Sequence, residues 1–483
     1  MNRRIVFYRV GQIMMLEAVL LILPLAVSLI YGEMKAVTSF AITIGAAAGL
    51  GLLLILPIRH YDNVMFSKEG FTIVTLAWIL LSLVGALPFF FSGEIPDYAD
   101  AVFETVSGFT TTGASLIPDV ESLSKGILFW RSFTHWIGGM GILVLMMAII
   151  PTDSGRSMHI MRAEMPGPVV GKLVPKIKDT AKILYLIYFG LTIAETLLLL
   201  IGGMPLYDSI VHALGTAGTG GYGIKGDSIG GYAPHLQWII AGFMVIFGIN
   251  FNLYYLLLLR KWKPVIKNTE LWVFGGLIII TTAVIAIDIF PLYGNAEESI
   301  RNSFFQVTSI MSTTGYSTAD FNLWPSLSKG LIFILLFIGG CAGSTAGGLK
   351  ISRIMIMFKS VCNDIRQQRH PRSVVKVKID GKVVDNTTLH RVSTYFILYI
   401  ILIVSVFLLI SFEPFGFETN LTAAVSCINN VGPGLGDVGP AGNYSGYSTF
   451  STIILSCAML LGRLEIFPII LAINPKNWVN KNK

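Results

Sequence analysis

One short, glycine-centred stretch recurs four times along the chain, each time between two long apolar segments. The clearest copy is Met311-Ser312-Thr313-Thr314-Gly315-Tyr316-Ser317, and the next is Phe109-Thr110-Thr111-Thr112-Gly113-Ala114-Ser115. A looser copy is Ala217-Gly218-Thr219-Gly220-Gly221-Tyr222-Gly223, and the loosest is Ile428-Asn429-Asn430-Val431-Gly432-Pro433-Gly434. Gly113, Gly221, Gly315 and Gly432 lie roughly a hundred residues apart, a period that points to a repeat architecture. Each copy follows a short, mostly apolar segment. The unit reads as helix, short helix, glycine strand, helix, repeated four times around one axis.

The segments between the strands place these repeats in a membrane. The chain has 483 residues, 53% of them hydrophobic and 13% charged. Soluble domains carry about twice that share of charge. Apolar runs of about 20 residues recur from end to end, the length that crosses a hydrocarbon core. The fold class is therefore an all-α polytopic membrane protein. Period-2 alternation is absent, which excludes a membrane β-barrel. The formal charge of +7 would suit nucleic acid in a soluble protein. In a membrane protein Lys and Arg collect in cytoplasmic loops, and no nucleic-acid partner is expected. Cys341, Cys362, Cys427 and Cys457 show neither metal-ligand spacing nor a disulfide framework. The apolar run from Gln12 to Ile30 follows Arg3-Arg4 but has no convincing cleavage site, so it reads as a retained first spanning helix.

The chain divides into an N-terminal pair of transmembrane helices (1–69), repeat one (70–151), a cytoplasmic loop with repeat two (152–260), repeat three (261–358), and a cytoplasmic loop with repeat four and the tail (359–483). Spanning helices are expected at 11–31, 37–58, 70–92, 126–150, 182–202, 234–260, 271–290, 327–358, 392–411 and 447–472. The segment 151–181 is basic and broken by Pro166, Pro168 and Pro175. The polar segment 359–391 carries Arg366, Arg369, Arg372, Lys376, Lys378 and Lys382, and Asp380-Gly381 suits the turn of a small hairpin.

Charge gives this layout an orientation. The loops bearing the glycine strands hold Glu94, Asp97, Asp119, Glu121, Asp208, Asp227, Glu297, Glu298, Asp320, Glu418 and Asp437, against Lys125, Lys225, Arg301 and Lys329. The loops joining one repeat to the next are strongly basic. By the positive-inside rule the joining loops and both termini face the cytoplasm, and all four strands face outside.

Non-helical backbone at membrane depth survives only where protein buries it or where it lines a wet cavity. Four such strands converging on one axis present carbonyls that can replace the water shell of a bare cation. Aiming successive carbonyls the same way forces an unusual φ/ψ, which glycine adopts without a Cβ penalty. No copy carries a charge at its centre, which suits selection by carbonyl dipoles rather than by an acidic ring. A single Thr-Gly pair would be an ordinary turn; four in register are not.

With these motifs the chain resembles the Trk/Ktr/HKT superfamily of potassium transporters, and within it the bacterial TrkH-type membrane subunits. The resemblance covers essentially the whole chain, including the two extra N-terminal helices. It implies four helix–pore helix–filter–helix repeats in pseudo-fourfold arrangement. It also implies a K+ filter built from Thr110, Thr111, Thr112 and Gly113; Gly218, Thr219, Gly220 and Gly221; Ser312, Thr313, Thr314 and Gly315; and Asn429, Asn430, Val431 and Gly432. Glycine at all four key positions goes with potassium preference. The second and fourth strands depart from the Thr-Thr-Gly form, which leaves their register open.

Two further features belong to the same path. Gly339 to Gly348 is a run of small residues inside the second helix of repeat three. It is read either as tight helix packing or, as the resemblance implies, as an intramembrane gate loop, with Gly343, Ser344, Thr345, Ala346, Gly347 and Gly348 at its centre. Arg463 lies within the last apolar helix, where a charge is expensive. It is read either as a snorkelling residue paired with Glu465 or, by the resemblance, as a cation projecting beneath the filter, with Lys350 extending the positive zone. His135 and His212 read as packing or capping residues, Asn250 and Asn252 as interhelical bonders, and Asp288 as an interfacial residue.

No nucleophile–base pair or metal cluster is present in the sequence, so no enzyme is expected. The expected function is K+ uptake across a bacterial or archaeal cytoplasmic membrane, with K+ as the transported ion and no organic cofactor in the chain. The resemblance further implies a homodimer and a cytosolic Rossmann-like regulatory subunit binding NAD(H) or adenine nucleotides. Alternatives are a sodium-conducting or sodium-coupled member of the same fold, an inverted-repeat secondary transporter, and a non-transporting scaffold.

Overall fold

The computed structural model describes residues 1–58, 67–141, 177–371, 376–464 and 466–473. Arg59, His60, the inner end of the helix expected at 126–150, the basic Pro-containing segment up to residue 176, Arg372, Glu465, Lys476, Lys481 and Lys483 lie outside the described residues. The N-terminal pair comprises α1 (Arg3–Leu20) running into α2 (Ile22–Ile30), and α3 (Met34–Ile55). Repeat one holds α4 (Ser67–Gly85), α5 (Leu87–Ser92), α6 (Tyr98–Phe109) and α7 (Lys125–Met140). Repeat two holds α8 (Ile177–Ile201), α9 (Leu206–Gly218), α10 (Pro234–Gly248) and α11 (Phe251–Leu258), and α12 (Trp262–Ile266) follows. Repeat three holds α13 (Thr269–Tyr293), α14 (Ala296–Met311) and α15 (Ser326–Leu335). Next come α16 (Ile351–Arg369) and a hairpin of β1 (Lys378–Ile379) and β2 (Lys382–Val383). Repeat four holds α17 (Asn386–Ile410), α18 (Phe417–Asn429), α19 (Thr449–Arg463) and α20 (Phe467–Ile473).

Among the described residues six helical segments are long and apolar enough to cross a membrane: Arg3–Ile30, Met34–Ile55, Lys68–Ser92, Asp179–Ile201, Thr269–Tyr293 and Asn386–Ile410. They are the N-terminal pair and the first helix of each repeat. The second helices differ from the expectation of long unbroken spans. Among the described residues α7, α10, α15 and α19 stop after 10 to 16 residues. The reasons are local. Gly141 follows α7 with φ +78°, and α10 meets α11 at a bend of 91°. There the side chain of Asn250 caps the new helix by accepting from the Asn252 N–H. After α15 the chain leaves the helix over 336–350, with Gly343 and Gly348 at φ +77° and +67°. Ile466, at φ +62°, separates α19 from α20.

The short helices α6, α9, α14 and α18 share one polarity. Their first turns carry Asp100, Asp208, Glu297 with Glu298, and Glu418, and their last turns carry no basic residue. Asp97 and Asn295 cap α6 and α14 by accepting backbone N–H bonds. Acid at the start and nothing cationic at the end is the pattern that suits a helix dipole. The C-terminal, carbonyl end of each helix runs straight into its glycine strand. Repeat four packs back on repeat one through α19 against α6, so the four repeats close into a ring.

The expected turn at Asp380-Gly381 is present, with φ +49° and +77°, the signature of a type I′ hairpin. The Asp380 carboxylate accepts from the Thr269 N–H at 2.8 Å and hydroxyl at 2.7 Å, which ties the hairpin to the start of α13. The N-terminal pair docks on repeat one through Glu33, whose carboxylate accepts from the Lys125 N–H at 2.6 Å and the Gly126 N–H at 2.9 Å. It thereby caps α7 from another part of the chain. Hydrogen bonds to a charged group are worth about 1.5–3 kcal/mol. Glu33→Ala is therefore expected to lower the thermal unfolding midpoint of the detergent-purified protein by several degrees, with Glu33→Gln recovering part. An unchanged midpoint in the alanine variant removes this contact as the anchor of the pair.

Candidate ion-conducting site

The four glycine strands have one backbone conformation. Two residues before each glycine stands a residue in the left-handed region: Thr111 at φ +56°, Thr219 at +56°, Thr313 at +55° and Asn430 at +53°. The glycines follow at φ +80°, +71°, +85° and +100°. Each short helix closes in the same way. The N–H groups of Thr112, Gly220, Thr314 and Val431 donate to the carbonyls of Ser107, Gly215, Ser309 and Ser426, five residues back. Those of Thr111, Thr219, Thr313 and Asn430 donate three residues back. This paired closure is the Schellman ending, which normally places glycine in the left-handed position. A β-branched threonine there is a genuine outlier, of order 1–3 kcal/mol. The looser second and fourth copies adopt the same conformation as the others, so one register holds for all four.

The glycines then link the strands in a closed circuit. A Cβ on Gly113 would overlap the carbonyl oxygen of Gly220, and one on Gly221 the carbonyl oxygen of Thr314. A Cβ on Gly315 would overlap the carbonyl oxygen of Val431, and one on Gly432 would lie 2.6 Å from that of Thr112. Each strand thus abuts the carbonyl just before the glycine of the next, from repeat one through four and back to one. All four glycines line one cavity of about 110 Å³, together with Arg131, Lys225, Ser317 and Tyr444. The residues before the glycines are buried. Thr110 and Thr112 share a hydroxyl hydrogen bond of 2.8 Å, and Ser312 and Thr314 one of 2.7 Å. Asn430 donates to the Thr112 hydroxyl and to the Met459 carbonyl, both at 2.9 Å. Asn429 accepts from the Tyr399 hydroxyl at 2.9 Å.

A belt of tyrosines and one ion pair hold the circuit from outside. Tyr222 donates to the Glu104 carbonyl at 2.7 Å and Tyr316 to the His212 carbonyl at 3.3 Å. Glu104 and His212 stand nine residues before Gly113 and Gly221, so each tyrosine bonds the equivalent point of the preceding short helix. Tyr444 donates to the Gly432 carbonyl at 2.8 Å. The Glu104 carboxylate meets Arg131 at 2.5 Å and accepts from Ser115 Oγ at 3.0 Å and the Leu116 N–H at 3.2 Å. The Arg131 guanidinium lies 4.0 Å over the Tyr222 ring. Sequence reasoning passed over these residues. The signal was a tyrosine directly after the glycine in the second and third copies. His135 and His212 are fully buried beside the strands. His135 Nδ1 bonds the Gly108 carbonyl at 2.8 Å.

On the far side from the cavity lies the loop of repeat three. The Gly347 N–H donates to the Thr313 hydroxyl at 2.6 Å, and a Cβ on Gly347 would lie 2.7 Å from the Asn429 carbonyl. The loop is a non-helical segment, so Gly339 to Gly348 is not a stretch of continuous, tightly packed helix. Glu270 accepts from the Ala342 N–H at 2.8 Å and the Ser352 N–H at 3.0 Å. The Cys341 N–H donates to the Gly248 carbonyl at 2.9 Å, and the Phe251 N–H to the Gly343 carbonyl at 3.0 Å. Ser344 Oγ donates to the Cys341 carbonyl at 2.7 Å, and buried Lys350 bonds the Ala346 carbonyl. Gly348 packs on Gly339, with a would-be Cβ 3.0 Å from its Cα. Arg463 reaches the loop from α19. Its guanidinium donates to the Thr345 carbonyl at 3.0 Å and to the Gly138 and Gly139 carbonyls at 2.7 and 2.9 Å. Glu465, its expected partner, is outside the described residues.

Removing one member of a buried ion pair costs about 3–5 kcal/mol, because the other charge stays buried. Arg131→Met is expected to unfold at a clearly lower temperature than the wild type in detergent. Arg131→Met/Glu104→Gln is expected to recover part of that loss. If the double variant is no more stable than the single, the pair is not what holds this corner.

The chain is similar to known proteins over nearly its whole length. A family model described as TrkH, cation transport protein, matches residues 36–274 and 278–480. The chain is 38% identical over 486 residues to the Trk system potassium uptake protein TrkH of Salmonella typhimurium, covering 99% of this chain and 100% of that protein. It is 34% identical over 488 residues to the TrkH of Halomonas elongata, with coverage of 99% and 100%. The crystal structure of the potassium transporter TrkH from Vibrio parahaemolyticus matches with a TM-score of 0.89 and 31% identity, covering 99% of this chain and 100% of that one. The four-repeat, all-helical membrane architecture and these matches together make the chain a member of the TrkH family of cation transport proteins.

Proposed function

We propose that the chain is the membrane subunit of a K+ uptake system and passes K+ inward through the ring of glycine strands. The observation that carries this reading is the closed glycine–carbonyl circuit of Gly113, Gly221, Gly315 and Gly432. In it the carbonyls of 110–112, 218–220, 312–314 and 429–431 take the place of the ion's hydration shell. The carbonyl ends of α6, α9, α14 and α18 add negative potential at the same place. The cell interior is electrically negative, and entry gains about 2.3 kcal/mol per charge per 100 mV. The names of the relatives, potassium uptake proteins of a Trk system, support K+ as the cargo. The chain transports and does not catalyse.

The loop Gly343-Ser344-Thr345-Ala346-Gly347-Gly348 closes the inner side of the filter as a gate, and Arg463 holds it shut through the Thr345 carbonyl. The five-part division of the chain follows the same plan, with a helix pair (1–69) preceding four conducting repeats at 70–151, 152–260, 261–358 and 359–483. Both termini and the basic joining loops face the cytoplasm of a bacterial or archaeal cell. There a cytosolic Rossmann-like subunit, binding NAD(H) or adenine nucleotides, docks on a homodimer of this chain. The support for this is the basic charge of those loops and the system naming of the relatives.

The test is uptake of radioactive Rb+ by liposomes holding the purified protein, with Na+ as competitor. Wild type is expected to take up Rb+ with little competition. Gly315→Ser forces a side chain into a left-handed position, of order 1–2 kcal/mol, and against the Val431 carbonyl. Its Rb+ preference is expected to fall about tenfold. Uptake indifferent to this substitution removes the filter assignment. Arg463→Gln is expected to raise Rb+ flux severalfold while leaving selectivity intact; an unchanged or lower flux separates Arg463 from gating.

A further inference from the structure

Repeat two carries a second feature, on an exposed apolar face of its helices. An apolar groove of about 700 Å³ runs between α8 and α11. Ile183, Leu186 and Ile187 line one wall and Leu257 and Leu258 the other. Leu186 is 69% exposed and Leu258 70%. The groove is open at one glycine. Gly190 lies in its lining, and a Cβ built there meets nothing within 4 Å. A straight helix gains nothing from this glycine, which costs about 1 kcal/mol against alanine. In hydrocarbon such a slot fits an acyl chain.

Both walls end in positive charge. Leu258 closes α11, and Arg260, Lys261 and Lys263 follow it, all exposed. On α8, exposed Lys182 directly precedes Ile183. Asp179 is the one acidic residue in that first turn of α8. Trp262, 59% exposed, sits among the cations, as aromatic residues do at a membrane interface. An apolar slot beside a cluster of cations is complementary to one ligand class: a lipid with an anionic head.

We propose that the α8–α11 groove is a specific site for an anionic phospholipid, with one acyl chain lying over Gly190 and its phosphate neutralised by Arg260, Lys261 and Lys263. The site sits where it can act on the loop. The first N–H of α11, on Phe251, donates to the Gly343 carbonyl, and the carbonyl of Gly248, just across the bend, accepts from the Cys341 N–H. A lipid wedged against α11 bears on that bend and so on the loop. The link to flux rests on the loop acting as the gate, whereas the binding itself does not.

The experiment is native mass spectrometry of the full-length protein, released from vesicles of phosphatidylglycerol mixed with phosphatidylcholine. Wild type is expected to retain phosphatidylglycerol selectively. Gly190→Leu fills the slot without displacing any neighbour, and Lys261→Gln/Lys263→Gln removes head-group charge. The double lysine variant is expected to reduce retention about thirtyfold, at about 1 kcal/mol for each of the two cations removed, and Gly190→Leu to reduce it about tenfold. Gly276→Leu, at an equally open glycine on α13, is the control and is expected to retain lipid as the wild type does. Equal retention in all variants overturns the site, as does equal retention of phosphatidylcholine. A change of oligomeric mass in Gly190→Leu would make the groove a contact between copies and also overturn the lipid assignment. Rb+ uptake in the two vesicle compositions then reads the gate separately, so a failure of gating leaves the binding result standing.

Discussion

Everything in this protein depends on backbone groups that leave the helical hydrogen-bond pattern among helices long and apolar enough to cross a membrane. A bilayer tolerates such groups only when protein fixes them. The fixing is done by contact between strands rather than by side chains. Each strand glycine abuts the carbonyl before the glycine of the next strand, so no single strand can relax without moving its neighbour. The Schellman closures bind each strand to the end of its own short helix. Strand and helix together hold Thr111, Thr219 and Thr313 in a left-handed conformation that a free chain would leave.

The broken second helices follow from the same constraint. Ending a helix in mid-membrane frees carbonyls and N–H groups that need partners. The structure supplies them from other repeats. Arg463 takes the carbonyls at the end of α7 along with that of Thr345 in the loop, joining repeats four, one and three. Glu270 takes two N–H groups of the loop region. Gly248 and Phe251 complete the loop across the bend in repeat two. The loop is therefore held by bonds from several separate elements rather than by one helix of its own.

The fold was legible because length and charge act locally. About 20 apolar residues specify a span, and the glycine period was visible in the chain itself. The helix interruptions at Ile249 and after Arg463 were not legible, since Phe247-Gly248-Ile249-Asn250 reads as apolar helix with one tolerated polar residue. The break comes from the loop of repeat three, which docks about a hundred residues away in sequence and exchanges backbone bonds across the bend. Gly339 to Gly348 was legible as an anomaly because glycines crowd there. Arg463 was legible as an expensive charge, but its carbonyl partners were not, since they lie in repeats one and three. The Glu104–Arg131 pair escaped notice because its members lie 27 residues apart on different helices, and only the fold brings them together.

The departures from fourfold symmetry have physical causes that the symmetric reading hides. The second strand has glycine where the first and third have threonine, at Gly220. A Cβ there would collide with the ring of His135, which is committed to the carbonyl of Gly108 in repeat one. The fourth strand has Asn430 in the left-handed position, where asparagine is better tolerated than threonine. Its amide reaches Thr112 of repeat one and the Met459 carbonyl of α19, closing the circuit with a bond that a threonine hydroxyl would be too short to make. Both deviations thus fall where a strand meets repeat one. Repeat one also bears the N-terminal helix pair through Glu33 and α7. Its neighbours adjust to that asymmetric load, while the backbone of all four strands keeps one conformation because the ring admits no other.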